Sequence, residues 1–237
     1  MSNYVVLSPS AHNNTHVITD RGEAQGDNIQ YSITYPLEFR NIQSCYPIFF
    51  SKSGDTGEFS PIALFGFGKN ENLFLDDSGW NAPYIPMMVE RQPFLIGYQG
   101  TDDDLKPIVS IDMDSPKISE GIGEPLFDKH SQPTEFLKKM MIKLESLHHG
   151  HEHNKGFITA LIVEDLLEPF TLEVTLDNGS NHQLIGYYTI NEDKLRDLDG
   201  PTLADFNSKG YLQPIYMVVA SYARVRALID KKNALSK

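Results

Sequence analysis

Cysteine is nearly absent. Cys45 is the sole one in 237 residues, so no disulfide can form within the chain, and a reducing compartment, the cytoplasm, is expected. Basic charge is also scarce. Against 32 Asp and Glu stand 20 Lys and Arg, a formal net charge of −12, which repels phosphate backbones and anionic lipid and speaks against nucleic acid as a partner. A long apolar run is missing too: the most apolar stretch, Tyr211 to Ala223, contains Gln213, Pro214 and Ser221 and falls short of the ~20 residues that cross a bilayer. Met1 to Leu7 shows no basic n-region and no apolar leader core, so neither a secretory signal nor a transmembrane segment is expected.

What is present suffices for a core. Hydrophobic residues make up 40% of the chain and charged residues 22%, the balance of a globular fold that needs no staples. From Tyr46 to Phe127, short apolar runs (Tyr46–Phe50, Ile62–Phe67, Asn72–Leu75, Phe94–Tyr98, Ile108–Met113) alternate with Gly, Pro, Asn and Asp clusters, the pattern of strands and turns. After Asp128 the period changes. Phe136, Leu137, Met140, Met141, Leu144 and Leu147 recur at helical spacing behind Pro133, which predicts an amphipathic helix with Pro133 at its first position. A His-rich joint, His148 to Lys155, then leads to a second helix, Phe157 to Leu167, ended by Glu168-Pro169.

Thr171 to Leu176 and Gln183 to Ile190, around Asp177-Asn178-Gly179-Ser180, read as a β-hairpin over 171–190. Asn191 is placed to cap a short helix, Gly200-Pro201 to open another that Gly210 stops, and Ile215, Val218, Val219, Tyr222, Val225 and Ile229 to form the stripe of a C-terminal helix. Strands early and helices late predict an α+β class rather than alternating α/β. One domain over 1–237 is expected, strand-rich over 1–128 and helix-rich over 129–237.

Several groups invite chemistry. His149 and His153, four apart in a His-rich tract with His148 and His151, would share one face of a continuous helix and could grip Zn or Ni; in a joint they are solvated side chains. No His is followed two residues later by Asp or Glu, and His151-Glu152-His153 is not H-E-x-x-H, which counts against a local iron triad and a zinc hydrolase. Gly66-Phe67-Gly68-Lys69 completes neither a dinucleotide fingerprint nor a phosphate loop, and no G-x-S-x-G elbow occurs. Cys45, next to the apolar Tyr46-Pro47 run, reads as a small core hydrophobe. The acidic residues Asp112, Asp114, Glu120, Glu124 and Asp128 lack the twelve-residue calcium-loop pattern and read as a solvated rim. Trp80, Tyr84, Arg91 and Phe94 form an aromatic set with one cation, either a recognition surface for a ligand or partner or packing of the core. No catalytic residue stands out.

Tyr46-Pro47-Ile48-Phe49-Phe50, Pro61-Ile62-Ala63-Leu64, Asn72-Leu73-Phe74 and Trp80 with Tyr84-Ile85-Pro86 occur in order. Arg91 with Pro93-Phe94, Gly123 through Asp128, Leu167-Glu168-Pro169 and Gly186-Tyr187-Tyr188 continue the series. Together they make the chain resemble the bacterial SapC-like family, named after a surface-array protein locus. The resemblance implies an accessory or binding role linked to surface-layer or TonB-type envelope and uptake systems, near flavin-dependent halogenase-like proteins. It brings no catalytic residues and no cofactor. Two function classes follow: a cytosolic, non-enzymatic binding protein with a protein or peptide partner, or an enzyme acting on an amino acid or peptide, whose catalytic group is assembled only in the fold or supplied by Zn or Ni at the His cluster.

Overall fold

The computed structural model describes residues 3–100 and 106–235. From the N-terminus, β1 (Tyr4–Val6), α1 (Pro9–His12) and β2 (Thr15–Val17) precede β3 (Tyr31–Ile33), and a 3-10 turn over Pro36–Glu38 leads into α2 (Phe39–Cys45). Next come β4 (Ile48–Lys52), β5 (Phe59–Leu64), β6 (Leu75–Asp76), β7 (Gly79–Trp80), α3 (Met87–Glu90), β8 (Phe94–Gln99), β9 (Lys106–Asp112), β10 (Ile118–Glu120) and β11 (Glu124–Pro125). The second half holds α4 (Glu135–Val163), β12 (Leu167–Thr175), β13 (Asn181–Ile190), α5 (Glu192–Arg196), α6 (Gly200–Ser208), α7 (Leu212–Ser221) and α8 (Ala223–Leu235). The fold is α+β, with antiparallel sheets and segregated helices.

The largest sheet runs β12-β13-β4-β5-β3. The late hairpin is thus an extension of the early strands, with Tyr188 opposite Phe50 and Phe50 opposite Pro61. Ile48, Phe49, Phe50, Ile62, Ala63 and Leu64 are all buried, as central strands covered on both faces require. A second sheet, β1-β9-β8, and a small one, β10-β2-β11, lie apart. Each large sheet has its own core. The main one contains Phe49, Phe65, Phe157, Leu161, Ile215 and Val218, and the smaller contains Phe94, Ile111, Leu126, Leu137, Met140 and Leu144. Helix α4 contributes to both.

Where a His-rich joint between two helices is expected, the structure has one helix of 29 residues. Gly150, at ~1 kcal/mol below Ala in helix propensity, is retained because the chain of the 3-10 turn packs there: a Cβ would lie 2.0 Å from Leu37 Cδ2. Burial of Leu147, Gly150, Asn154, Phe157, Ile158 and Leu161 along one stripe carries the helix through. The helix starts two residues later than expected, at Glu135 rather than Pro133. Thr134 is the cap, its hydroxyl accepting from the Leu137 amide at 3.3 Å, while Asp128 organises the preceding turn by accepting from the amides of His130 and Gln132.

It also ends earlier, at Val163. Asp165 takes the left-handed conformation (φ 52°) and the Leu166 amide reaches back to the Leu161 carbonyl at 2.8 Å, a closure in which Asp stands where Gly is usual. Pro169 therefore belongs to a strand, β12, at the sheet edge, where its missing N–H is harmless. The single C-terminal helix expected from the apolar stripe is two helices. Buried Ser221 breaks it: its hydroxyl donates to the Val218 carbonyl at 2.6 Å and accepts from the Ile48 amide at 2.8 Å, tying the break to β4.

Candidate functional site

Trp80 and Tyr84 belong to a hydrogen-bonded chain at the edge of the main core. Trp80 Nε1 donates to Tyr46 Oη at 2.7 Å, and Tyr46 Oη donates to the Tyr84 carbonyl at 2.5 Å. Tyr84 Oη then donates to Glu38 Oε2 at 2.8 Å, the Met87 amide to the same oxygen at 3.0 Å, and Thr34 Oγ1 to Glu38 Oε1 at 2.7 Å. Glu38 is 1% exposed. Burial pushes its carboxyl above the usual range even though the three donors pull the other way, and burial likewise raises the phenols of Tyr46 and Tyr84.

Phe94 is fully buried in the smaller core, against Phe136. Arg91 donates to the Phe94 carbonyl and faces a cavity of about 490 Å³ with Tyr4, Gln25, Asp112 and Asp114. Burial lowers the Arg91 pKa, opposed by the nearby phenols of Tyr35 and Tyr4. The four residues are thus divided between a core network, a second core and a separate cavity that Arg91 alone of the four lines.

The histidines point different ways from one helix. His148 meets the Tyr98 ring at 6.4 Å and His151 the Tyr35 ring at 5.9 Å. His149 and His153, one turn apart, line a cleft of about 620 Å³ between α4, the Pro36–Glu38 turn and the start of α7. Arg40 lines the same cleft. Among the described residues, no three His, Cys, Asp or Glu side chains converge to hold a metal ion.

Two further features escape sequence reasoning. One is a buried ion cluster: Asp27 accepts from Arg21 Nη1 and from Lys117 Nζ, each at 3.3 Å, with Asp27 0% and Lys117 1% exposed. Lys117 lies 90 residues from Asp27, and nothing local marks the cluster. The other is an apolar groove beside α4. A cavity of about 690 Å³ lined by Ile96, Ile108, Val109, Met141 and Ile142 adjoins one of about 350 Å³ lined by Val6, Leu7, Phe127 and Leu137; both share Ile108, Val109 and Met141.

Met141, expected in the buried stripe, is instead exposed at the groove wall, as is Ile142. Two consecutive apolar residues beside the stripe of Leu137, Met140 and Leu144 were the available signal, because a helix that packs on one side needs only one of them inward. On α4 the lining runs from Leu137 to His149, so at 1.5 Å per residue the groove follows the helix for ~18 Å.

Compared with known families, the chain matches the SapC family model over residues 7–228. The chain belongs to the SapC family. No curated protein and no solved structure shows a significant match to it. Among the described residues no helix is long and apolar enough to cross a membrane.

Proposed function

We propose that this SapC-family chain is a non-enzymatic binding protein that receives an apolar-faced helical segment of a protein partner in the groove between α4 and β9. The observation that carries this reading is the run of exposed aliphatic side chains, Val6, Met141 and Ile142, along two adjoining apolar cavities. Exposed apolar surface of this kind is costly unless it is covered, and a groove of ~18 Å matches about three turns of helix. Lys138 and Glu145 both line it, seven residues apart on α4. They favour a segment with an acidic residue near one end and a basic one two turns away. The family resemblance supports a partner from an envelope or nutrient-uptake system, with the chain as a cytoplasmic accessory.

The test places a photo-reactive residue at Ile142, and in a control at exposed Ile185 on β13. A protein captured at 142 but not at 185 is then purified, and its affinity for wild type and Met141→Asp compared. The reading predicts selective capture and at least tenfold weaker binding by the variant at unchanged melting temperature. Equal capture at both positions, or equal affinity, refutes it.

A further inference from the structure

The cleft on the other side of His149 has a chemistry distinct from the apolar groove. Its walls carry Arg40, His149, His153 and Gln213, its apolar surface includes Leu37 and Met217, and no Asp or Glu lines it. Among the described residues Arg40 has no carboxylate at ion-pair distance, although the chain as a whole carries −12. An unpaired guanidinium sharing one cleft with two imidazoles in so acidic a protein makes this cleft locally inverted in sign.

The fold builds this arrangement. Gly150 lets Leu37 settle against α4, and Leu37 lines the cleft together with both histidines. His153 is held edge-on against buried Tyr211 at 5.5 Å. Tyr211 is also the N-terminal flank of α7, which has no side-chain cap, and Gln213 and Pro214 of its first turn line the cleft, so the positive end of that helix lies beside it. A transition ion would suit two imidazoles one turn apart, but a guanidinium in the same cleft and the lack of a third acidic or thiol ligand oppose a cation.

We propose that this cleft binds a small organic carboxylate with an apolar body, the carboxylate taken by Arg40 with His149 and His153, and the body lying on Leu37 and Met217. Guanidinium is matched to carboxylate by its planar fork of donors, and a cavity of about 620 Å³ is of small-ligand size. The same chemistry could be presented by a free acid or by the C-terminus of a peptide.

The test titrates the full chain with acetate, hexanoate and phenylacetate, following the imidazole and Met217 methyl resonances. At least one acid is expected to saturate 1:1 with Kd below 1 mM, phenylacetamide to bind at least tenfold more weakly than phenylacetate, and Arg40→Gln to lose at least tenfold at an unchanged melting curve. A short peptide ending in Phe, with free or amidated terminus, separates the sources: tighter binding of the free-terminus peptide assigns the site to a chain end, and tighter binding of phenylacetate to a free acid. Three results overturn the proposal: no saturation with any acid or with the peptide, equal binding of phenylacetate and its amide, or stoichiometric Zn²⁺ retention that Arg40→Gln strengthens.

Discussion

Replacing Asp27 by Asn preserves shape and removes one negative charge from the middle of two positive ones. Lys117, 1% exposed, and Arg21, 13% exposed, both direct nitrogens at this carboxylate from 3.3 Å. Surface pairs of this kind are worth little, but removing one partner of a buried set strands the other charges and costs about 3–5 kcal/mol. At about 2–4 °C per kcal/mol for a chain of this size, the melting temperature should fall by about 6–20 °C. Burial and Arg21 already depress the Lys117 pKa while Asp27 opposes them; in the variant that opposition is gone. A lysine with a depressed folded pKa binds fewer protons folded than unfolded, so stability rises with pH and the penalty should ease as pH is raised. Urea titration followed by the single tryptophan, Trp80, half-buried against Phe65, gives the loss at constant m value. Adding Lys117→Met to Asp27→Asn removes the stranded cation and should restore at least half of it, a coupling read by the double-mutant cycle. A loss below about 1 kcal/mol, or a double variant no more stable than Asp27→Asn, would refute the reasoning.

Glu38→Ala leaves Thr34, Tyr84 and the Met87 amide without their acceptor and should cost more than about 3 kcal/mol, whereas Glu38→Gln keeps an acceptor and costs less. Because burial raises the Glu38 pKa, the folded state holds its proton to higher pH than the unfolded state, and stability falls as pH rises from the ordinary carboxyl value through the raised one; denaturation curves across that range should show this decline in wild type and lose it in Glu38→Gln. Gly156→Ala places a Cβ 2.5 Å from Tyr211 Oη, a ring fixed by Phe157 and Phe206, so calorimetry should show a loss of about 1–2 kcal/mol despite the better helix former. Cys45→Ser should cost below about 1 kcal/mol, since the thiol is half-buried with Ser44 Oγ at 3.2 Å, and reductant should leave the monomer's melting temperature unmoved.

Local chemistry made much of the second half readable. Asn191 does cap a helix, accepting from the Lys194 amide at 2.9 Å, and Asp177 to Ser180 does turn the hairpin. What misled were residues whose role is set from a distance. Gly150 and the surrounding histidines read as a break until Leu37 is seen against the helix, and Pro169 reads as a helix stop until β12 is seen at an edge. Ser221 sits unremarked in an apolar stripe until Ile48 supplies its partner. The first 45 residues show the same limit: Thr34 and Glu38 matter through Tyr84, and Asp27 through Lys117, contacts that span up to 90 residues. The aromatic set was visible as a set, but its members share a stretch of chain and not a cavity. The groove lay hidden in Met141 and Ile142, because periodicity tells which residues are apolar and not how many a neighbour will cover.

Whether the groove beside α4 is where a partner sits is read directly by methyl NMR of the isotope-labelled chain. On addition of the purified partner segment, the methyl resonances of Ile96, Ile108, Met141 and Ile142 should shift or broaden together, while exposed Ile162 and Ile185, which line neither groove cavity, stay unmoved. Perturbation centred on Ile162 or Ile185, with Met141 and Ile142 unchanged at saturation, would contradict it.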